Sequence, residues 1–143
     1  MDTIPRRLKY VTVYRRIMGK IEKCFFIPKV NPSYYQVLGI VLSFVFWLAT
    51  NDWQRLLLVS AILLADWYDG ATARKYGLVS REGYLIDVVV DRISELVLFF
   101  PMQVMFWFAI LNGGLSYVSL IKGKHLTMPL RFGYLIYLLV IVL

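Results

Sequence analysis

The sequence predicts an all-α fold: a polytopic helical membrane bundle of about four to five spans, preceded by an amphipathic helix at the membrane surface. Its 143 residues are 59% hydrophobic, and the mean hydropathy is +0.64. Soluble domains of this length are rarely so apolar, and long apolar runs are typical of integral membrane proteins. The net charge of +7 comes from basic residues that flank these runs. Such charges favour anionic lipid headgroups as partners, and they give little support to nucleic-acid binding.

The first 30 residues predict the surface helix. They contain eight of the sixteen Lys and Arg residues. Apolar residues recur between these charges at three- and four-residue steps, which is the pattern of a basic amphipathic helix. The alternation of apolar and charged residues also argues against a signal peptide. Pro28 and Pro32 then end the helix. Cys24 is the only cysteine, so it has no intrachain disulfide partner.

Apolar runs define the spans. The first is predicted over residues 34–49, and the second begins near residue 55 and ends around residue 77. Residues 83–121 form a stretch of 39 residues between basic loops. Two crossings of ~18 residues fit this length, since a helix rises ~1.5 Å per residue. Pro101 lies where the turn between those two crossings is expected.

The last apolar run, residues 132–143, has about a dozen residues, whereas a span needs ~20. Either the chain continues beyond Leu143 or a partner chain completes the bundle, and the sequence leaves both open. We expect residues 1–143 to form a single domain. Basic residues cluster in the N-terminal segment and in the loops after the second and fourth spans, and only Arg55 falls on the other side. This asymmetry predicts that these loops face the cytoplasm.

Four aspartates lie at the cytoplasmic ends of the second and third spans. Asp66 and Asp69 are three residues apart, and Asp87 and Asp91 are four apart, so each pair shares one helix face. Two antiparallel helices joined by a short loop direct all four into one space. Bare carboxylates so close would repel one another and take up protons, whereas divalent cations relieve the repulsion. Oxygen-only ligands favour Mg²⁺ or Mn²⁺ over zinc. The alternative is a set of structural ion pairs with nearby Arg and Lys.

Small residues and one arginine accompany the aspartates. Gly70, Ala73 and Gly83 leave room for a phosphorylated ligand against the backbone, and Arg74 supplies a positive charge that suits a phosphate. Together these residues indicate metal ions, a phosphate-rich ligand and one carboxylate that acts as a base.

This motif resembles the complete signature of the CDP-alcohol phosphotransferases, with all eight fixed positions and both long spacings matched. The eight positions are Asp66, Asp69, Gly70, Ala73, Arg74, Gly83, Asp87 and Asp91. The segment from Asn31 also resembles the family, but Ser33 and Gln36 depart from its usual residues, so no nucleotide contacts are carried over there. Members of the family usually have six transmembrane helices and act as homodimers. This chain supplies four helices and a partial fifth.

The resemblance implies roles for the aspartates. Asp66, Asp69 and Asp87, with Asp91 nearby, would hold two Mg²⁺ or Mn²⁺ ions on the pyrophosphate of a CDP-linked substrate. Asp91 would be the general base that takes the proton from the acceptor alcohol. The alkoxide would attack the β-phosphorus, and CMP would leave.

The resemblance also implies the substrate-binding residues and the reaction. Gly70, Ala73 and Arg74 would border the CDP site, and Gly83 would allow close packing at its mouth. The reaction would transfer a phosphatidyl-type group from a CDP-activated lipid to a polar alcohol in phospholipid biosynthesis. The acceptor stays open among glycerol phosphate, inositol or inositol phosphate, serine and other alcohols. The reverse arrangement, a CDP-linked headgroup with a diacylglycerol acceptor, also stays open.

Two other functions use the same residues. A non-catalytic or truncated family member would bind metal and nucleotide without turnover. A divalent-ion transporter would use the carboxylates but leaves Gly70, Ala73 and Arg74 without a role.

The basic loop after the fourth span allows two interpretations. Lys122, Lys124, His125 and Arg131 lie on the side of the aspartates. They can set the topology and contact lipid headgroups. Alternatively, Lys124 and Arg131 bind a phosphate of the acceptor, a role to which the guanidinium is well suited.

Overall fold

The computed structural model describes residues 25–122 and 127–143, and within these ranges the chain forms helices and no strand. Five α-helices follow in order: α1 Pro32–Val45, α2 Asp52–Lys75, α3 Arg81–Phe99, α4 Gln103–Lys122 and α5 Leu130–Val142. A 3₁₀ turn, Phe46–Leu48, extends α1. The predicted all-α class is confirmed. The surface helix was predicted within residues 1–30, and residues 1–24 of this segment, with Cys24, lie outside the described residues, as do the loop residues Lys124 and His125.

Polar caps fix where α2 and α3 begin. Asn51 accepts the backbone N–H of Gln54, and Ser80 accepts that of Gly83, at 2.9 Å in both cases. Each cap satisfies one N–H that the first turn of a helix leaves without a partner. α2 therefore begins at Asp52, about one turn before the predicted start of the second span near residue 55.

The connection between α2 and α3 is short because α2 ends in a glycine-dependent cap. Gly77 has φ +68, a left-handed conformation that glycine adopts without strain. The N–H of Leu78 then reaches back to the carbonyl of Ala73 at 2.9 Å. This is the Schellman arrangement, and it turns the chain sharply toward Ser80 and α3. The predicted helical hairpin that carries the aspartates is thus formed.

Two helices, α2 and α4, are long and apolar enough to cross a membrane, and α1 and α5 are shorter apolar helices. Large apolar side chains on the long helices are more than half exposed, including Leu57 and Leu64 on α2 and Trp107 and Leu111 on α4. Lipid is the solvent that such surfaces fit. The predicted turn at Pro101 is confirmed, because α3 ends at Phe99 and α4 begins at Gln103.

An aromatic and aliphatic core packs in the half of the bundle away from the aspartates. Tyr134 of α5 contacts Phe99 and Phe46 edge to face, with ring centroids 5.5 and 6.1 Å apart. Val59 and Ile62 of α2 are fully buried in the same cluster. These positions precede Asp66 in α2, and Phe99 follows Asp91 in α3. The core therefore fixes α2, α3 and α5 relative to one another and leaves their other halves to form the site.

Candidate active site

Three of the four aspartates converge. One carboxylate oxygen each from Asp66, Asp69 and Asp87 lies within 4.8 Å of the others. Asp69 is buried, and the other two are half-buried. The i, i+3 spacing places Asp66 and Asp69 on one face of α2, and the Schellman turn brings α3 back beside it. An all-oxygen set of this kind fits Mg²⁺ or Mn²⁺.

Asp91 lies one turn beyond Asp87 and has a different partner. Its Oδ1 accepts a hydrogen bond from the Arg131 guanidinium at 2.7 Å, and the same nitrogen of Arg131 donates to the Asp91 carbonyl at 2.8 Å. Asp91 therefore forms an ion pair with Arg131, as the alternative of structural ion pairs predicts for this one aspartate. Its predicted role as a metal ligand stays a prediction, since it lies outside the convergent group of three.

Arg131 is buried in the first turn of α5 among three carboxylates. Besides Asp91, its Nη1 lies 3.8 Å from Asp66, and its Nε lies 3.8 Å from Glu95. Those two distances are longer than a hydrogen bond, so both nitrogens retain donor capacity. Arg131 thus lies at the carboxylate site, as its predicted acceptor role requires, and that role stays a prediction. Lys124, the other predicted acceptor residue, lies outside the described residues.

Glu95 and Asn112 are site residues that the sequence reasoning missed. Glu95 is 2% exposed, and its Oε2 accepts from Arg92 at 2.7 Å and from the Asn112 amide at 3.0 Å. A signal for Glu95 was present, because it follows Asp91 by four residues and extends the same helix face. Asn112 has no such pattern, apart from being an amide in an apolar span.

Gln36 of α1 also approaches the aspartates. Its side-chain amide lies 3.5 Å from Asp87 Oδ1, at the long limit of a hydrogen bond. Ser43 of α1 and Ser94 of α3 share a buried hydrogen bond of 2.8 Å between their hydroxyls. Together these contacts hold α1 against α3 beside the site.

The predicted CDP-site residues lie around the hairpin. A Cβ on Gly70 would come within 3.0 Å of the Arg74 guanidinium, so Arg74 folds back over Gly70 beside Asp69. A Cβ on Gly83 would come within 3.0 Å of the Ser80 hydroxyl. The cap of α3 therefore favours glycine at this position for a local structural reason. Ala73 is half-buried. Their contacts with a nucleotide stay predictions.

Three of the aspartates line one small cleft between the helices. Asp66 and Asp69 line it from α2, Asp91 lines it from α3, and Arg131 contributes from α5. Tyr35 lines it from α1. Charged groups from three helices therefore meet at one cleft.

The sequence profile of the CDP-alcohol phosphatidyltransferases matches residues 31–141. The chain belongs to this family. A search of curated proteins and a search of solved structures each found no match. Family membership, together with the two long apolar helices among the described residues, indicates a membrane protein of a family of phosphotransferases that act on CDP-alcohols. The resemblance drawn from the aspartate signature is thereby confirmed.

Proposed function

We propose that this CDP-alcohol phosphatidyltransferase moves a phosphatidyl-type group from a CDP-activated lipid to a polar alcohol and releases CMP, as a step of phospholipid biosynthesis. The observation that carries the proposal is the division of the aspartates. Three converge within 4.8 Å, and the fourth, Asp91, accepts hydrogen bonds from Arg131 through its carboxylate and its carbonyl. Such a division suits metal binding and proton transfer, because a carboxylate that directly ligates divalent metal ions is less able to take up a proton.

The convergent aspartates fit the metal role. Asp66, Asp69 and Asp87 would hold Mg²⁺ or Mn²⁺, and we infer two ions, with Asp91 close to the second. When bound, the ions would neutralise charge on the pyrophosphate and orient the leaving group. Without cations, three carboxylates this close and this shielded from water would repel one another.

Asp91 fits the role of general base. Its carboxylate would take the proton of the acceptor hydroxyl. The hydroxyl oxygen then forms a bond to the β-phosphorus of the CDP-lipid, and the bond from that phosphorus to the CMP oxygen breaks. Arg131 fixes Asp91 through its side chain and its carbonyl, so the base is oriented before the acceptor arrives.

Other residues would recognise the two substrates. Gly70, Ala73 and Arg74 would border the CDP moiety, and Gly83 would permit close approach at the mouth. We infer that Arg131, which lines the cleft, contacts a phosphate on the acceptor. Lys124 would assist from the preceding loop.

We further propose that the site faces the cytoplasm and that the protein acts as a homodimer. The asymmetry of Lys and Arg around the spans supports the orientation. Lipid tails then stay in the bilayer, while the alcohol arrives from water.

The test is CMP release by the purified full chain in liposomes that contain CDP-diacylglycerol, with a panel of alcohols and Mg²⁺ or Mn²⁺. CMP release with one alcohol supports the proposal and identifies the acceptor. Metal and nucleotide binding without CMP release, for all alcohols and for CDP-linked headgroups with diacylglycerol, would favour the non-catalytic member. Divalent-ion flux without CMP release would favour the transporter.

A further inference from the structure

A single buried amide connects α4 to the segment that enters α5. Asn112 is 0% exposed in the middle of apolar α4. Its amide nitrogen donates to the Met128 carbonyl at 2.9 Å, and its amide oxygen accepts the Met128 N–H at 2.7 Å. The side chain thus binds both polar groups of one residue, as a neighbouring strand would. These two hydrogen bonds to the backbone hold Met128 against α4.

The same amide also reaches the charged network of α3. Its nitrogen donates to Glu95 Oε2 at 3.0 Å. Glu95 in turn pairs with Arg92 at 2.7 Å and lies 3.8 Å from Arg131 Nε. The Asn112 amide therefore makes three hydrogen bonds, which use its two donors and its oxygen. A buried amide in an apolar helix is costly unless it is satisfied in this way.

The fixed segment is the one that carries Arg131 to Asp91. Met128 precedes Arg131 by three residues, and the turn between them is closed by the Leu130 N–H on the Met128 carbonyl at 3.0 Å. The position of Met128 on α4 therefore sets where α5 starts. Arg131, in the first turn of α5, donates to Asp91 at 2.7 Å.

We propose that Asn112, together with Glu95, is a positioning device for this reaction: it holds the start of α5 so that Arg131 orients the Asp91 carboxylate. The proposal rests on the proposed function, since it assigns the purpose of the orientation to proton transfer. Neither residue is assigned a contact with substrate. Asn112 acts through Met128, and Glu95 acts on Arg131 directly, because its carboxylate lies 3.8 Å from Arg131 Nε and attracts the guanidinium.

A merely structural role for Asn112 makes a different prediction. A hydrogen bond that only stabilises the bundle would lower thermal stability and would affect turnover no more than a comparable bond elsewhere in α4. Ser116 supplies the comparison. It is 3% exposed, lies one turn from Asn112, and donates from Oγ to the Asn112 carbonyl at 2.9 Å. Its hydroxyl contacts α4 itself, so Ser116→Ala is a matched control.

The first measurement is hydrogen–deuterium exchange of the full chain in detergent micelles. Asn112→Leu is close in volume and removes the acceptor of the Met128 N–H. Exchange at Met128 is expected to rise about tenfold, the factor that corresponds to one net hydrogen bond. Ser116→Ala should leave it unchanged. Unchanged exchange at Met128 in Asn112→Leu would show that the contact does not hold the segment.

The second measurement separates binding from turnover. Asn112→Leu should lower kcat about tenfold or more and leave the CDP-lipid KM near the wild-type value, because the base is misplaced while the metal and nucleotide contacts remain. Glu95→Gln should lower kcat in the same direction, since it keeps an oxygen for Asn112 and loses the charge that attracts Arg131. Equal losses of kcat in Asn112→Leu and Ser116→Ala would overturn the positioning role.

The third measurement is independent of turnover. Unfolding midpoints of Asn112→Leu, Arg131→Lys and the double variant form a cycle. If Asn112 positions Arg131, the two effects are not additive, because once the segment is released Arg131 has already lost its contact with Asp91. Additive effects would overturn the proposal even if the wild type is active. If the wild type releases no CMP but the unfolding midpoints are not additive, the proposed function is overturned, whereas the coupling of Asn112 to Arg131 is retained.

Discussion

Arg131 donates from one nitrogen to both the carboxylate and the backbone carbonyl of Asp91, at 2.7 and 2.8 Å. The guanidinium therefore binds the residue at two points and fixes the rotamer of its side chain. Asp87, one turn away, faces Asp66 and Asp69. Both carboxylates of α3 lie close to Asp66, but Asp91 also accepts hydrogen bonds from Arg131, and this contact supports the separate role proposed for Asp91.

The base is tested by Asp91→Asn. The amide cannot take a proton, so turnover should fall by at least ~10²-fold, the usual contribution of a general base. CDP-lipid and Mn²⁺ binding should remain, because the three convergent aspartates are intact. CMP release and equilibrium binding measure the two effects. Asp52→Asn is the matched control, since Asp52 lies on α2 and pairs with Arg55 away from the site. Wild-type turnover in Asp91→Asn would show that another group is the base.

The metal site is tested by Asp69→Asn and Asp66→Asn. Each removes one charged ligand from the group within 4.8 Å, so Mn²⁺ affinity should fall about tenfold or more. Turnover should recover partly as the metal concentration is raised. Isothermal titration and the metal dependence of CMP release give the comparison, and chelation of the metal should stop the wild type. Recovery by metal in Asp91→Asn as well would place Asp91 among the main ligands.

Arg131→Ala tests both inferred roles of that residue. For a phosphorylated acceptor alcohol, the acceptor KM should rise about tenfold, which corresponds to a loss of ~1.4 kcal/mol of binding free energy. The CDP-lipid KM should be nearly unchanged. The contact with Asp91 adds a second expectation, a lower kcat with any acceptor. Arg131→Lys keeps the charge but removes the guanidinium nitrogen that donates to both the carboxylate and the carbonyl of Asp91.

The two parameters separate the two roles of Arg131. A lower kcat without a change in the acceptor KM would support the role of Arg131 in orienting Asp91 and would contradict its role in binding an acceptor phosphate. Equal small losses for both substrates would favour the topology interpretation of the basic loop.

Much of the fold was predictable because the patterns that specify it are local. Asn51, Ser80 and Gly77 mark helix ends by their own chemistry, and the i, i+3 and i, i+4 spacings place aspartates on helix faces. The predicted spans follow from the apolar runs, and the predicted turn follows from Pro101. The signature residues were found for the same reason, since both aspartate pairs lie on adjacent helices of one hairpin.

The rest of the site depends on contacts between segments that are distant in sequence. Arg131 is 40 residues from Asp91, and Asn112 is 16 residues from Met128. Periodicity cannot pair residues at such distances. Periodicity assigns a residue to a helix, but it does not identify the residue's partner in another helix. Arg131 was therefore expected near the cleft, whereas its hydrogen bond to Asp91 was not predicted. Glu95 was within reach of local reasoning, because it continues the face of Asp87 and Asp91.

Gly70→Ala tests the predicted CDP contact of Arg74. The new Cβ would come within 3.0 Å of the Arg74 guanidinium, which is the far end of a flexible side chain and can shift without disturbing the helix. The fold should therefore be retained, and helix propensity alone favours Ala over Gly by up to ~1 kcal/mol. If Arg74 contacts a phosphate of CDP, the displaced guanidinium should raise the CDP-lipid KM several-fold to about tenfold, with the acceptor KM unchanged. Gly113→Ala on α4 is the matched control, because a Cβ there meets nothing within 4 Å. A CDP-lipid KM that stays at the wild-type value in Gly70→Ala, in protein with an unchanged unfolding midpoint, would remove Arg74 from the nucleotide site.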